Sequence, residues 1–307
     1  MSRESLTLPD AWLRLRQFTP ARIALGRVGG SVPTSELLDF QLAHARARDA
    51  VHAPFDIEAL AARIAELGTS TICVRSAAAD RETFLKRPDL GRRLDAPGRA
   101  ALELAAAAVG PCEALPAVTA CQELSNYDAA QADLAIIVSD GLSALAVQRQ
   151  VVPLLEAWFP LLRAERRRVA PVVLVERGRV AVQDEVGQLL NARVAVILVG
   201  ERPGLGSPDS LGAYLVHDPR AGLTDADRNC VSNIRPQGLP PAAAALKLHY
   251  LMSEAIARRT SGVMLKDESL SISRIDDVSP PGAAQLSAPS AAAVAQNPAG
   301  SAGPVAQ

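Results

Sequence analysis

Aromatic residues make up only 3% of this 307-residue chain. That scarcity argues against a surface that stacks nucleobases. The net charge is −1, so there is no bulk basic field to draw nucleic acid. No apolar run approaches the ~18–20 residues of a membrane-spanning helix. The N-terminal MSRESLTLPDAW lacks the apolar core of a signal peptide. The four cysteines, Cys73, Cys112, Cys121 and Cys230, form no CxxC pair and have no His at metal spacing. A zinc site is therefore not expected, and free thiols in a reduced cytoplasm fit best. His44, His52, His217 and His249 are scattered and suggest no catalytic triad. A Walker A loop is absent. Gly204-Leu205-Gly206-Ser207-Pro208-Asp209 holds two glycines of a GxGxxG loop but not the third, which counts against an NAD enzyme.

What is present is alanine, helical periodicity and, from about residue 134, alternation of strand and helix. Pro9-Asp10 starts a short amphipathic segment through Phe18. Pro33-Thr34-Ser35-Glu36 offers capping chemistry for a helix over Glu36 to Val51, and Asp56 opens another through Leu67. A strand is expected at Ile72 to Ser76 and a helix at Ala100 to Val109. Further strands fall at Leu134 to Val138, Val169 to Val175 and Val194 to Val199. Between the first two of these, Leu142 to Arg168 reads as one long helical pattern that Pro153 and Pro160 should kink or divide. Pro241 to Arg259 is a helix with proline at its start. Such alternation predicts a mostly parallel sheet with flanking helices. The expected organisation is a helical N-terminal region (1–68), a Rossmann-like α/β domain (69–267), and a disordered Ala/Pro/Ser-rich tail (268–307).

The densest chemistry lies in Ala192 to Gly238. A buried strand runs into Gly200, then Glu201-Arg202-Pro203-Gly204, a charged pair in a rigid loop. Open α/β sheets place ligand sites just beyond strand ends like this one. A carboxylate at Glu201 suits amide or hydroxyl donors of a ligand, or equally a local pair with Arg202. A polar string, Asp225 to Asn233 around Cys230, suits a loop that holds a polar ligand or fixes its own backbone. On residues alone Cys230 reads as a buried small hydrophobe rather than a nucleophile. Asp140, at another strand end, is the best stand-alone catalytic candidate, with helix capping an equal alternative. Arg163 and Arg166 to Arg168 read as cations at a helix C-terminus rather than a phosphate patch.

The strings GERPGLGSPDSLGAYL and GLTDADRNCVSNIRPQGL, from Gly200 and Gly222, carry a resemblance. So do TPARIALGRVGGSVPTSELLDFQLAHARARDAVH from Thr19, RPDLGRRL from Arg87, SDGLSALAVQ from Ser139 and GRVAVQDEVGQLLNARV from Gly178. Together they resemble the small (light) subunit of adenosylcobalamin-dependent ethanolamine ammonia-lyase, over about Pro9 to Lys266. Asp95 to Ala132 matches weakly.

The resemblance implies that the chain helps enclose adenosylcobalamin for radical deamination of ethanolamine to acetaldehyde and ammonia. Its partner would be a large TIM-barrel subunit that binds the substrate. By residue-wise carry-over, Val180, Glu201 and Cys230 contact the cofactor. Asn229, Ser232 and Asn233 are secondary candidates for the corrin side-chain amides. No catalytic or metal-ligating residue is expected in this chain. Location in the cytoplasm follows, with or without a bacterial microcompartment, since enteric relatives carry an extra N-terminal extension linked to packaging. Two other readings compete. One is a structural subunit that stabilises the large chain without touching the cofactor. The other is a free-standing Rossmann-like enzyme using Asp140 and Glu201.

Overall fold

The computed structural model describes residues 10–19, 21–108 and 131–268. Cys112, Cys121 and the tail expected beyond residue 268 lie outside them. A six-stranded mixed sheet organises the chain: β1 (Thr71–Arg75), β2 (Ala132–Ser139), β3 (Val172–Glu176), β4 (Ala192–Gly200), β5 (Leu211–His217) and β6 (Asn229–Ile234). Their spatial order is β1-β3-β2-β4-β5-β6. The first three pairings are parallel; β4–β5 and β5–β6 are antiparallel. The α/β class and the mostly parallel sheet agree with the sequence pattern.

β2 is buried along its whole length. Its unbroken apolar run suits a strand covered on both faces. Leu134, Ile136 and Val138 pack toward α2 (Ile57–Ala65), α5 (Ala144–Ala164) and α7 (Pro241–Arg258). Ala135 and Ile137 join the opposite core with Leu102 of α4 (Ala96–Ala108) and Val182 and Val186 of α6 (Val182–Leu189). Each buried Leu, Ile or Val contributes about 1.5–3 kcal/mol relative to exposure. The chain leaves β2 through α5 to reach β3 on one side. It then returns through α6 to β4 on the other. That reversal opens a crevice at the carboxyl ends of β2, β3 and β4.

Four local expectations need correction. Pro153 and Pro160 do not divide α5, which runs unbroken for 21 residues. Val151, Leu154, Leu155, Trp158 and Leu162 are all buried along it, and that packing outweighs two lost backbone donors. The N-terminal amphipathic segment is a 3-10 helix, Leu13–Phe18. Helix α1 (Thr34–His52) begins after Pro33 with no side-chain cap. Glu36 in its first turn instead takes Arg16 at 3.2 Å, and its carbonyl accepts from Arg22 at 2.5 Å. The polar string from Asp225 is not a loop throughout. A 3-10 turn at Asp225–Asp227 leads directly into β6, where Val231 and Ile234 are buried and hold the strand against β5.

Other features match their sequence signals. The Asp56 carboxylate accepts from Ala59 N at 2.9 Å and caps α2. Pro241 occupies the first turn of α7. Helix α3 (Arg81–Lys86), unmarked by periodicity, is capped by Asp80, which accepts from Thr83 N at 2.7 Å. Among the described residues no helix is long and apolar enough to cross a membrane.

Candidate functional site

The carboxyl-end crevice contains a cavity of about 430 Å³ whose walls include Gly141, Gly178, Val180, Glu201 and Tyr214. Its floor is backbone, because the strand ends approach too closely for side chains. Gly141 has φ +51°, and a Cβ there would stand 2.4 Å from Val199 and 2.5 Å from the Gly200 carbonyl. A Cβ on Gly200 would meet the Ser143 carbonyl at 2.1 Å. Leu142 N donates to Gly200 O at 2.8 Å and joins the ends of β2 and β4.

Asp140 does not face this cavity as a free acid. It is buried, and its carboxylate accepts from Arg177 N at 2.6 Å and from Arg81 Nη1 at 3.0 Å. Burial pushes its pKa up, against the pull of the Arg81 guanidinium. Arg81 also donates to the carbonyls of Gly141 and Val51. The pair therefore latches the ends of β2, β3 and α1 together. Asp140, the stand-alone catalytic candidate, thus has its carboxylate engaged by Arg81, Ser139 and the Arg177 amide among the described residues.

Glu201 stands one residue past β4. Ser210 Oγ donates to its Oε2 at 2.5 Å, and Asn233 N donates to the same oxygen at 3.2 Å. Oε1 takes no hydrogen bond among the described residues. The carboxylate lies over Gly212 of β5, where a Cβ would sit 2.9 Å from Oε1. One oxygen is thus fixed by protein while the other stays available as an acceptor. Arg202 makes no ion pair with Glu201, so the expected local pair is not what holds the loop.

Val180 lies in the turn between β3 and α6, half-buried against the core. It lines the first cavity and a second one of about 460 Å³, bounded by Pro88, Arg92, Arg179, Thr224 and Arg228. Cys230 sits on β6 directly opposite Tyr214 on β5. It is exposed rather than buried, because it occupies an outward position of an edge strand. Although the residue is exposed, partial desolvation of the sulfur raises the Cys230 thiol pKa, the Tyr214 hydrogen bond lowers it, and the nearby Glu201 charge raises it. Val180, Glu201 and the Tyr214–Cys230 pair therefore converge on one region.

The secondary candidates divide. Asn229 is fully engaged: its Nδ2 donates to Leu265 O at 2.7 Å and its Oδ1 accepts from Gly262 N at 2.7 Å. Ser232 and Asn233 are exposed. Sequence reasoning missed Tyr214, Gly212 and Arg179. Tyr214 carried one weak signal, as a rare aromatic within a short apolar run.

Similarity to known proteins places the chain in a family. The family model described as ethanolamine ammonia-lyase light chain matches residues 9–266. The ethanolamine ammonia-lyase small subunit of Azotobacter vinelandii (strain DJ) is 52% identical over 276 residues, covering 90% of this chain and 95% of that protein. The small subunit of Pseudomonas aeruginosa (strain UCBPP-PA14) is 55% identical over 267 residues, 85% of this chain and 91% of its own length. That of Pseudomonas fluorescens (strain SBW25) is 52% identical over 265 residues, 86% and 89%. With a family match across nearly all the described residues, the chain belongs to the ethanolamine ammonia-lyase light-chain family.

Proposed function

We propose that this chain covers one side of adenosylcobalamin at the carboxyl-end crevice and acts with a large TIM-barrel subunit in ethanolamine degradation. The observation that carries the reading is that Val180, Glu201 and Tyr214 line one cavity at the sheet reversal, with Cys230 paired to Tyr214 on the neighbouring strand. The residues fit the group. Leu142, Val180 and Val199 give apolar contact for a corrin edge, and Glu201 Oε1 can accept from a corrin side-chain amide. Backbone at Gly141, Gly178 and Gly200 allows close approach. A cavity of this volume cannot enclose a whole corrin, so the other side falls to the partner.

When bound, adenosylcobalamin supplies the carbon radical that starts the deamination of ethanolamine to acetaldehyde and ammonia. This chain's residues bind, orient and shield. Val180, Glu201 and Cys230 are contact residues rather than acids, bases or ligands to cobalt. Excluding water and other quenchers is the physical reason for closing two subunits over the cofactor.

The N-terminal segment supports a partner. Trp12 (67% exposed), Phe18 (77%), Leu38 (58%), Phe40 and Leu42 display apolar side chains along the 3-10 helix and α1. Exposed apolar surface gathered on one segment marks an interaction surface. The cytoplasm, with or without enclosure in a microcompartment, is the setting that fits free thiols.

The test is ethanolamine-dependent acetaldehyde release with adenosylcobalamin, using this chain, the large subunit, and both. Activity confined to the mixture is expected. Activity of this chain alone would restore the free-standing enzyme. Equilibrium dialysis of cobalamin against the Glu201→Ala complex separates contact from scaffold. Unchanged affinity would favour the purely structural subunit.

A further inference from the structure

Between the two cavities lies a group of guanidinium charges that the cofactor contacts above leave unused. Arg179, after β3, lines both cavities. Arg202, after β4, lines the first, and Arg92, after α3, lines the second. Among the described residues none of the three has a carboxylate within ion-pair distance. The nearby acids are mostly engaged: Asp140 holds Arg81 at 3.0 Å, and Asp225 lies 3.4 Å from Arg228. Glu201 is the one acid lining the first cavity, and its Oε2 is already bonded.

Arg179 is built into place rather than loose. Its backbone N donates to Gly91 O at 2.6 Å, and its Cγ would lie 2.7 Å from a Cβ on Gly91. Its guanidinium stacks on Phe84 at 4.1 Å, and Nη2 donates to Phe84 O at 2.9 Å. Nη1 makes no hydrogen bond among the described residues. A stacked, pre-oriented guanidinium loses little entropy on binding an anion. Burial disfavours its charge, and so do Arg81, Arg92 and Arg202 around it. An anion at this point would relieve that repulsion.

We propose that Arg92, Arg179 and Arg202 form an anion subsite that takes the phosphodiester of the cofactor's nucleotide loop. The proposal rests on the cofactor reading above. Adenosylcobalamin has one permanently anionic group, the phosphodiester that joins its nucleotide loop to the corrin. The corrin side chains are neutral amides. An arginine cluster beside the amide-accepting Glu201 matches that division of charge, and guanidinium forks match phosphate oxygens. The subsite would fix which way round the corrin lies against this chain.

The test uses the assembled two-subunit complex and spectral titration with cobalamin and with cobinamide, which lacks the nucleotide loop and its phosphodiester. Arg179→Gln, and separately the surface double variant Arg92→Gln/Arg202→Gln, should weaken cobalamin about tenfold or more. Both should leave cobinamide affinity unchanged. Equal losses for the two corrinoids, or no loss for cobalamin, would overturn the subsite. So would weakened subunit association with unchanged cobalamin affinity, which would assign the arginines to a carboxylate of the partner. Glu201→Ala is the internal control, expected to weaken both corrinoids. If it weakens neither, the cofactor reading itself falls. If it weakens both while the arginine variants weaken neither, only the phosphodiester subsite falls.

Discussion

Tyr214 and Cys230 face each other across the β5–β6 ladder, close enough for Tyr214 to favour the thiolate of its neighbour. Partial desolvation of the sulfur and the Glu201 charge hold the thiol above its ordinary value of 9.0, while Tyr214 pulls it down. Cys230 should therefore alkylate slowly with iodoacetamide at pH 7 and faster as pH rises. Tyr214→Phe removes the hydrogen bond that favours the thiolate, so labelling at a given pH should slow further. Mass spectrometry of the Cys230 peptide reads this directly. Faster labelling in the variant would refute the hydrogen bond's direction. Cofactor plus large subunit should protect the thiol.

Two glycines of the crevice should respond differently to alanine. At Gly200 the added carbon meets backbone at 2.1 Å and 2.5 Å, so strand ends must move. Gly200→Ala should lose more than about 3 kcal/mol or fail to fold. At Gly212 the carbon meets only the Glu201 side chain, 2.9 Å from Oε1. Gly212→Ala should cost about 1 kcal/mol while displacing the carboxylate and weakening cobalamin in the complex. Thermal melts rank the two variants. Equal stability losses would contradict this view of the floor.

The Asp184–Arg228 pair gives a pH prediction. Both side chains are buried, at 7% and 2% exposure. Burial lifts Asp184 from 3.8 to about 6, against the pull of Arg228. A carboxyl that holds its proton more tightly when folded stabilises fully below its unfolded pKa and loses that contribution as pH rises through the folded one. This group's contribution should thus fall between about pH 4 and pH 6. Asp184→Asn should lack that slope. Urea midpoints at several pH values through that window, compared between the two proteins, test it. Parallel slopes would exclude Asp184 as the source.

The apolar N-terminal segment predicts a separation of stability from assembly. Leu38 and Phe40 are exposed, so Leu38→Asp/Phe40→Asp should change the free chain by no more than about 0.5 kcal/mol per site. Its association with the large subunit, measured by analytical ultracentrifugation, should weaken. Unaltered association would remove this segment from the interface.

How much of this was legible in sequence depended on range. Leu134 to Val138 and Val194 to Val199 announce buried strands because both faces are apolar. Asp56 announces a helix start by its capping side chain. The Asn229–Ile234 strand does not, since only Val231 and Ile234 point inward and the rest has a loop's composition. Glu201 and Val180 stand in recognisable strings just past strand ends. Tyr214 and Gly212 matter only through pairing with residues on other strands. Nothing in the spacing of Arg92, Arg179 and Arg202 says they gather at two adjoining cavities with Arg179 common to both; three separate segments bring them there.

The crevice is assembled from segments near residues 141, 179, 201 and 214, and no single stretch contains it. It exists only after non-local parallel pairing is complete, the slowest kind of contact to form. An unfolded or half-registered chain has nothing for the ligand to grip. Any occupant of the crevice is then a ligand of the native state alone, and raises stability by RT ln(1 + [L]/Kd). Supply of that ligand sets how long a finished chain resists proteolysis. The chain's abundance would follow its ligand before any control of its synthesis.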